Sequence, residues 1–337
     1  MIDFMQNRPD FTAESQMMAI EKRRNKAFES LSSMESPLNT TIVIPVYNET
    51  SRLKCLSTKL EELLEVSLLS NGNLKWNLLI ADDGSTDHTL DIIKALSEEY
   101  NSLFNKNNLL TIELPEDLSL RKKTYPQEVQ MGGALYTAFN ILKTELDKDD
   151  FVVYTDFDSS VPLWEIGNTL PFIFEGGDVV IGSRRHTDSV VVRDKLVQSY
   201  GSKFISIWKD LFPELGEITN DTNGAFLMFK QPTLNNIVNW ANKTETYSAA
   251  FKTGALAECI KQGYKISTMG ITFIDHSEGS HFEGNNSKGR LSVYARILKD
   301  LSRSSDNVEL ADQISKFSVS ELETFLKNYD LNPSLLS

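Results

Sequence analysis

Thr41-Ile42-Val43-Ile44-Pro45-Val46-Tyr47-Asn48-Glu49 is the segment from which the architecture of this chain can be inferred, together with Asp156-Phe157-Asp158. The first segment is an apolar strand that stops at a proline and delivers polar groups into a loop. The second places two carboxylates directly after another apolar strand, Phe151–Tyr154. In an open α/β sheet such strand ends line the ligand crevice. Side chains two positions apart on extended backbone share a face, so Asp156 and Asp158 can converge on one cation, which could hold a diphosphate.

Strands and helices alternate on both sides of these segments. Leucines at helical spacing from Leu53 to Leu64 predict a helix after the first strand, and the next strand, Leu78–Ala81, ends at Asp82-Asp83-Gly84-Ser85. Further strands are predicted at 109–114, 151–155, 178–181, 225–229 and 264–274, and further helices at 134–146, 193–210 and 248–262, with 115–131 irregular. This rhythm predicts an α/β fold with a mostly parallel sheet that is covered by helices on both faces.

The two ends of the chain differ in pattern from its centre. Residues 1–38 are polar and charged and predict a helical N-terminal extension that ends at Ser36-Pro37. Residues 285–337 predict peripheral helices, one of which begins at a capping box formed by Ser318 and Glu321. We therefore expect one central domain, residues 39–284, between a helical N-terminal and a helical C-terminal extension.

Composition limits the compartment and the partners. The 337 residues include 34 Lys+Arg and 47 Asp+Glu, a formal net charge of −13, so nucleic acid is not an expected partner. Cys55 and Cys259 lack the spacing of a redox or metal motif and indicate a reducing compartment. The N-terminus has no apolar secretory region, and no apolar run approaches the ~18 residues that span a bilayer. We expect a cytoplasmic protein without a transmembrane segment; peripheral membrane contact stays open.

Asp156 and Asp158 form the first candidate site. Their functional interpretation is a Mg²⁺ site, because Mg²⁺ prefers one or two carboxylates together with substrate phosphate oxygens and water. Such a metal would neutralise charge on a departing diphosphate. The alternative is a solvated acidic turn. His276, which follows the last strand, could complete the metal shell or contact a diphosphate, or it is an ordinary surface histidine.

A second candidate site follows the first two strands. Asp82 and Asp83 could accept hydrogen bonds from a nucleobase N–H or a ribose hydroxyl, or they belong to a capped helix start. Beyond Pro45, which is typical of a strand end, Tyr47 and Glu49 could face a nucleotide or belong to a turn.

Three further motifs carry polar or flexible groups to strand and helix ends. Gly132, with Gly133, opens a helix where backbone could approach a ligand or form a turn. Arg184 follows a buried strand and could clamp a phosphate or form a surface ion pair. Asp221 in Asp221-Thr222-Asn223-Gly224 is either a general base for an acceptor hydroxyl or part of an Asx-turn, with Glu258 as a reserve base.

Several common motifs are absent from the sequence. It contains no G-x-G-x-x-G, no P-loop GK[ST], no G-x-S-x-G and no HExxH. A classical dinucleotide fold is therefore disfavoured. A nucleotidyltransferase, which also uses carboxylates and metal, would carry a glycine-rich loop with arginine directly after the first strand, and Pro45–Glu49 is not such a loop.

Taken together, the chain from about Thr40 to about His281 resembles glycosyltransferase family two, the inverting enzymes of GT-A (Rossmann-like) fold. The resemblance rests on the order and spacing of the quoted motifs, namely Ile44–Glu49, Asp82–Asp87, Gly132-Gly133-Ala134, Asp156-Phe157-Asp158, Gly182-Ser183-Arg184 and Asp221–Phe226. The last two motifs look most like the dolichyl-phosphate and undecaprenyl-phosphate glycosyltransferase branch.

The resemblance implies a role for several residues. Asp82 and Asp83 would face the base and ribose of a nucleotide sugar, with Tyr47 and Glu49 beside them. Asp158 would hold Mg²⁺ or Mn²⁺ with help from Asp156. Arg184 would lie near the acceptor phosphate or the donor diphosphate.

The implied activity is metal-dependent, inverting transfer of a hexose from a UDP- or GDP-linked donor to a hydroxyl or phosphate acceptor of unknown identity. Two departures from the branch favour an alternative, a catalytically weak sugar-nucleotide-binding or scaffold protein. Met131 stands where the branch usually has a basic residue, and Lys252, after Phe251, stands where it usually has an acid.

Overall fold

The computed structural model describes residues 13–103, 108–192, 200–274 and 287–329. The strands are β1 (Leu38–Val46), β2 (Leu74–Asp82), β3 (Asn108–Glu113), β4 (Phe151–Thr155), β5 (Val179–Ser183), β6 (Val190–Val192), β7 (Phe226–Lys230), β8 (Ile266–Gly270) and β9 (Thr272–Ile274). The helices are α1 (Ala13–Ser32), α2 (Lys54–Leu69), α3 (Thr89–Leu103), α4 (Glu116–Thr124), α5 (Met131–Glu145), α6 (Glu165–Phe174), α7 (Tyr200–Leu211), α8 (Pro213–Ile218), α9 (Gln231–Thr244), α10 (Phe251–Lys261), α11 (Ser287–Ser302), α12 (Val308–Lys316) and α13 (Val319–Asn328).

Seven strands form one central sheet in the order β3-β2-β1-β4-β7-β5-β8, and β6 pairs with β9 in a small second sheet. Neighbouring strands of the large sheet run parallel except where β7 lies antiparallel between β4 and β5. The predicted mostly parallel sheet with helices on both faces is confirmed. The antiparallel β7 was not predicted, because an apolar strand pattern carries no information on strand direction.

Alternate side chains of each strand enter two different hydrophobic cores. Ile42 and Ile44 of β1 pack in the core that contains residues of α1, α2 and α6. Val43 packs in the other core, which is covered by α5 and by the helices from α7 onward. Because both faces are covered, the central strands are apolar along their whole length, which explains their continuous hydrophobic runs.

The N-terminal helix α1 is packed tightly into the domain. Ala27 and Leu31 are fully buried, and a Cβ at Gly167 of α6 would lie 2.4 Å from the carbonyl oxygen of Ala27. Arg23 forms a forked ion pair with the fully buried Glu165 at 2.7 and 3.1 Å. Helix α1 and α6 therefore cross at backbone contact distance.

The C-terminal helices cover the core on the opposite face. Their buried side chains include Leu298 of α11, Ile314 of α12 and Leu326 of α13. The predicted capping box is confirmed, since the Ser318 side chain accepts from the backbone of Glu321 and Glu321 bonds back to Ser318. Within the described residues, no helix has both the length and the apolar character that crossing a bilayer requires.

Three local predictions need correction. Residues 115–131 are not wholly irregular, because Glu116–Thr124 form α4, whose acidic first turn and basic last turn suit the helix dipole. The strand predicted at 264–274 is two strands in different sheets, β8 and β9, separated at Ile271. Helix α9 was not predicted. The start of the helix predicted at 193–210 lies outside the described residues.

Candidate active site

Five predicted motifs lie at one edge of the central sheet. Strands β2, β1 and β4 are parallel neighbours, so the residues that follow Val46, Asp82 and Thr155 emerge at the same edge. The antiparallel β7 begins at this edge, which places the loop that contains Asp221 beside the residues that follow β5. The sheet topology thus brings together segments that are up to about 180 residues apart.

Asp82 and Asp83 are both buried at the end of β2. One oxygen of Asp82 accepts from the backbone N–H groups of Gly84 and Ser85, each at 2.9 Å. Asp83 pairs with Lys122 of α4 at 2.6 Å. Within the described residues, the Oδ1 atom of each aspartate is buried without a hydrogen-bond partner. Since unpaired buried oxygens are costly, these two atoms are available for donors from a ligand.

Lys122 links Asp83 to an aromatic ring. Its ammonium also donates to the Asp83 carbonyl oxygen and lies 4.3 Å from the ring centroid of the half-exposed Tyr47. Burial raises the pKa of Asp83 to about 6, although the Lys122 ammonium acts in the opposite direction. A carboxylate, an ammonium and an aromatic face therefore adjoin one another. Sequence reasoning missed Lys122 because α4 was not predicted.

Pro45 and Glu49, at the same edge of the central sheet, contact neighbouring segments of the chain itself. Pro45 lies inside β1, opposite Ala81 of β2, so the strand runs one residue past the proline at which it was expected to stop. Glu49 is buried and pairs with Arg52 at 2.5 Å, while its backbone N–H donates to the Thr89 hydroxyl at 2.7 Å. These bonds fix the loop that follows β1 against the start of α3. The nucleotide-facing role of both residues stays a prediction.

Asp156 and Asp158 are both half-buried, with the buried Phe157 between them. The Tyr154 hydroxyl donates to Asp156 Oδ1, and the backbone N–H of Ser160 donates to Asp158 Oδ1 at 2.9 Å. No described Lys or Arg forms a direct ion pair with either carboxylate. Each therefore keeps one oxygen for a ligand.

Two buried lysines adjoin this pair from opposite sides. Lys252 of α10 donates to the Tyr154 hydroxyl at 3.1 Å and to the Gly224 carbonyl at 3.2 Å. Lys59 of α2 is fully buried, and among the described residues its ammonium has no hydrogen-bond partner. Burial lowers the pKa of both lysines. Nearby carboxylates act in the opposite direction: Asp156 raises the pKa of Lys252, and Glu62 and then Asp158 raise that of Lys59. Lys59 was missed, although it is a lone charge among the leucines of an apolar helix face.

Arg184 and Asp221 form a buried, forked ion pair. The Arg184 side chain donates from Nε and Nη2 to the two Asp221 oxygens, each at 2.7 Å, and its backbone N–H adds a bond at 3.0 Å. Burial alone would raise the pKa of Asp221, but the Arg184 guanidinium outweighs burial and holds that pKa below its usual value. Such a carboxylate is a weak base, so the base role predicted for Asp221 stays a prediction that the geometry does not favour.

Three other predicted site residues, Gly132, Glu258 and His276, have no described contact with Asp156 or Asp158. A Cβ at Gly132 would lie 2.1 Å from the Ser248 carbonyl oxygen, so the close approach at this glycine is to backbone of the chain itself. Glu258, six residues after Lys252 on α10 and thus about 9 Å farther along the axis, accepts from Gln262 at 2.8 Å. His276 lies outside the described residues.

The donor set suits a hard divalent cation that also binds substrate. Within the described ranges no three His, Cys, Asp or Glu side chains form a ready metal cluster. Asp156 and Asp158 nevertheless supply two carboxylate oxygens at one strand end. Mg²⁺ is commonly held in this way, by one or two carboxylates with the other positions filled by water and substrate phosphates. The residues therefore fit a cation that binds together with a diphosphate.

Two curated proteins are similar to parts of this chain. The dolichol-phosphate mannosyltransferase of Pyrococcus furiosus is 25% identical over 195 residues, 58% of this chain and 47% of that protein. The dolichyl-phosphate beta-glucosyltransferase of Saccharomyces cerevisiae is 28% identical over 97 residues, 27% of this chain and 28% of that protein. The chain thus spans less than half the length of these curated relatives.

A solved structure shares the fold over most of the chain. Mannosyl-3-phosphoglycerate synthase from Rubrobacter xylanophilus aligns with 94% of this chain and 85% of its own, with a TM-score of 0.53 and 15% identity. This likeness and the sheet topology confirm the predicted GT-A fold. The model of the family described as "Glycosyl transferase family 2" matches residues 41–238, more than half of the chain, and this range contains both carboxylate pairs and the Arg184–Asp221 pair. The chain therefore belongs to glycosyl transferase family 2.

Proposed function

We propose that this chain transfers a hexose, with inversion, from a nucleoside diphosphate sugar to an acceptor oxygen. The observation that carries the proposal is the Asp156–Asp158 pair, which lies at the same sheet edge as Asp82 and Asp83 with only strand β1 between them. The first pair suits a cation with a diphosphate, and the second suits the base and ribose of the same donor. The sites for the two parts of one nucleotide sugar, its diphosphate and its nucleoside, thus lie at the same edge of the sheet.

The contacts of Asp83 favour a UDP or GDP donor. The Asp83 carboxylate can accept from a ring N–H, and the neighbouring Lys122 ammonium can donate to an adjacent ring carbonyl. Uracil and guanine present an N–H beside a carbonyl, whereas the corresponding ring nitrogens of cytosine and adenine are acceptors. Tyr47, against which Lys122 packs, offers a face on which the base can stack.

In this proposal Asp156 and Asp158 hold Mg²⁺ or Mn²⁺ with the donor. The cation, when bound, stabilises the negative charge that develops on the departing nucleoside diphosphate. Arg184 lies at the same edge and contributes positive charge beside the diphosphate or the acceptor, while Asp221 holds its guanidinium in place. The acceptor oxygen then attacks the anomeric carbon from the side opposite the diphosphate.

The geometry favours an acceptor that carries a phosphate. A hydroxyl nucleophile needs a general base, and neither Asp221, which is paired with Arg184, nor Glu258, which lies farther along α10, is well placed for this role. A phosphate oxygen is already anionic and needs no base. The curated relatives support this class of acceptor, since both are named for dolichol phosphate or dolichyl phosphate.

Nucleotide release from UDP-glucose and GDP-mannose tests the proposal, measured with Mn²⁺ and with a panel of phosphorylated and unphosphorylated acceptors. Asp158→Asn should lower the rate at least about a hundredfold. It should not prevent folding, because asparagine keeps the Oδ1 acceptor for the Ser160 N–H. Asp149→Asn is the matched control, since Asp149 precedes the opposite end of β4 and is exposed. Full turnover by Asp158→Asn would refute the metal assignment. Tight donor binding without any wild-type turnover would favour the alternative, a sugar-nucleotide-binding scaffold.

A further inference from the structure

A buried chain of hydrogen bonds lies behind Asp156. It runs from Lys252 of α10 to the Tyr154 hydroxyl and from that hydroxyl to Asp156 Oδ1. Tyr154 is fully buried, Lys252 is 5% exposed, and the lysine ammonium also lies 4.7 Å from the tyrosine ring centroid. The chain joins a helix to a strand end that is 98 residues away in sequence.

The direction of these hydrogen bonds follows from counting protons. A lysine ammonium only donates, so the Tyr154 oxygen accepts from Lys252. The hydroxyl has a single proton, and two acceptors adjoin it, Asp156 Oδ1 and the Met131 sulfur at 3.3 Å. A carboxylate is a far stronger acceptor than a thioether, so the proton lies toward Asp156. The two residues that depart from the related branch, Met131 and Lys252, thus meet at one hydroxyl.

We propose that Lys252 is a positioning residue that, through the Tyr154 hydroxyl, fixes the Asp156 carboxylate so that only Oδ2 faces the bound cation and donor. This role rests on the proposed function. Asp158 is held in the same manner, since Ser160 donates to its Oδ1. Each carboxylate then offers one oxygen, which suits the one-oxygen-per-carboxylate coordination that Mg²⁺ commonly has.

The contacts of Lys252 make this role specific to that residue. Its second hydrogen bond goes to the Gly224 carbonyl, in the loop that also contains Asp221. Lys252 therefore fastens the Asp156 strand end to the loop that carries the Arg184 partner. A shortened or uncharged side chain at this position would remove the cationic donor that polarises the Tyr154 hydroxyl. The bond from that hydroxyl to Asp156 would weaken, and the Asp156 carboxylate would be held less firmly.

The test is a double-mutant cycle on Mn²⁺ affinity. Lys252→Met, Tyr154→Phe and the double variant are titrated with Mn²⁺ in the presence of UDP, and free Mn²⁺ is followed by electron paramagnetic resonance. Each single variant should weaken Mn²⁺ binding about tenfold, and the double variant should weaken it by about the same factor, because both changes break one chain. Lys261→Met is the control, since Lys261 is on the same helix but bonds to Ser304 and Asp306 and should leave affinity unchanged.

Several results would overturn the inference. Wild-type affinity in Lys252→Met, or losses that multiply to about a hundredfold in the double variant, would show that Lys252 does not act through Tyr154. If the wild type binds UDP but not Mn²⁺, this inference and the metal assignment fail while nucleotide binding by the proposed site stands. If it binds neither, the proposed function fails as a whole. Urea unfolding of each variant establishes that it is folded, and Tyr154→Phe, which preserves ring volume, keeps the test valid if Lys252→Met does not fold.

Discussion

The Arg184–Asp221 pair gives the sharpest prediction, which is that Asp221 acts through Arg184 and not as a free base. Asp221 is 4% exposed and accepts three hydrogen bonds from Arg184. Asp221→Asn keeps the side-chain volume but leaves the guanidinium without its counter-charge. Removal of one partner of a buried ion pair costs about 3–5 kcal/mol, and because asparagine retains one acceptor oxygen we expect about 3 kcal/mol.

This loss is measurable by heat and by urea. Unfolding entropy is about 2.1 cal/mol/K per residue, so for 337 residues a loss of about 3 kcal/mol lowers Tm by about 4 °C. The pKa of Asp221 is lower in the folded chain than in the unfolded chain, so the pair stabilises the fold above the ordinary aspartate pKa. The difference between wild type and Asp221→Asn should therefore be complete at pH 7 and shrink as the pH falls below about 4.

The matched experiment removes both charges. Arg184→Met with Asp221→Leu should recover most of the free energy of unfolding that either single variant loses, because apolar replacement of a whole buried pair is often nearly neutral. The reasoning fails if Asp221→Asn unfolds within about 0.5 kcal/mol of the wild type, or if the double variant is no more stable than the single ones. A wild-type pH–rate profile in a stable Asp221→Asn protein would exclude the base role directly.

Two further predictions test the nucleotide site and the N-terminal helix. UDP binding, measured calorimetrically from pH 5 to 8, should weaken below about pH 6. Burial raises the pKa of Asp83 to about 6, and its protonated form is a poorer acceptor for a base N–H. Asp83→Asn should remove this pH dependence, and a flat wild-type profile would contradict the assignment. Arg23→Met should lower the free energy of unfolding in urea by on the order of 3 kcal/mol, because it leaves the buried Glu165 without its counter-charge. Arg24→Met breaks an exposed pair with Glu65 and should cost under about 1 kcal/mol. Equal losses in the two variants would contradict this prediction.

The sequence was sufficient to predict most strands of the central sheet and the acidic residues at their ends. An apolar run followed by Asp, Gly and Ser indicates where a strand stops, and parallel strands stop at one edge of a sheet. The sequence alone therefore predicts a common edge for four carboxylates, those of Asp82, Asp83, Asp156 and Asp158. Arg184 could be placed there for the same reason, because it follows β5.

The cations that accompany these carboxylates could not be predicted in the same way. Lys122 lies 39 residues from Asp83 and is carried by a helix with almost no amphipathic pattern. Lys252 reaches Tyr154 across 98 residues. Local periodicity indicates which face of a helix is buried but not which distant charge that face will meet, so these contacts depend on tertiary packing alone.

The distribution of these cations explains why one acidic pair remains suited to a metal. Asp83 is paired with Lys122, Asp221 with Arg184, and Glu49 with Arg52, each in direct contact. Among the described residues, Asp156 and Asp158 have no such ion pair, and the buried Lys252 reaches Asp156 only through a neutral hydroxyl. The negative charge of the other carboxylates at this sheet edge is therefore neutralised by direct ion pairs. The charge of Asp156 and Asp158 is left for the divalent cation that the proposed reaction needs beside the diphosphate.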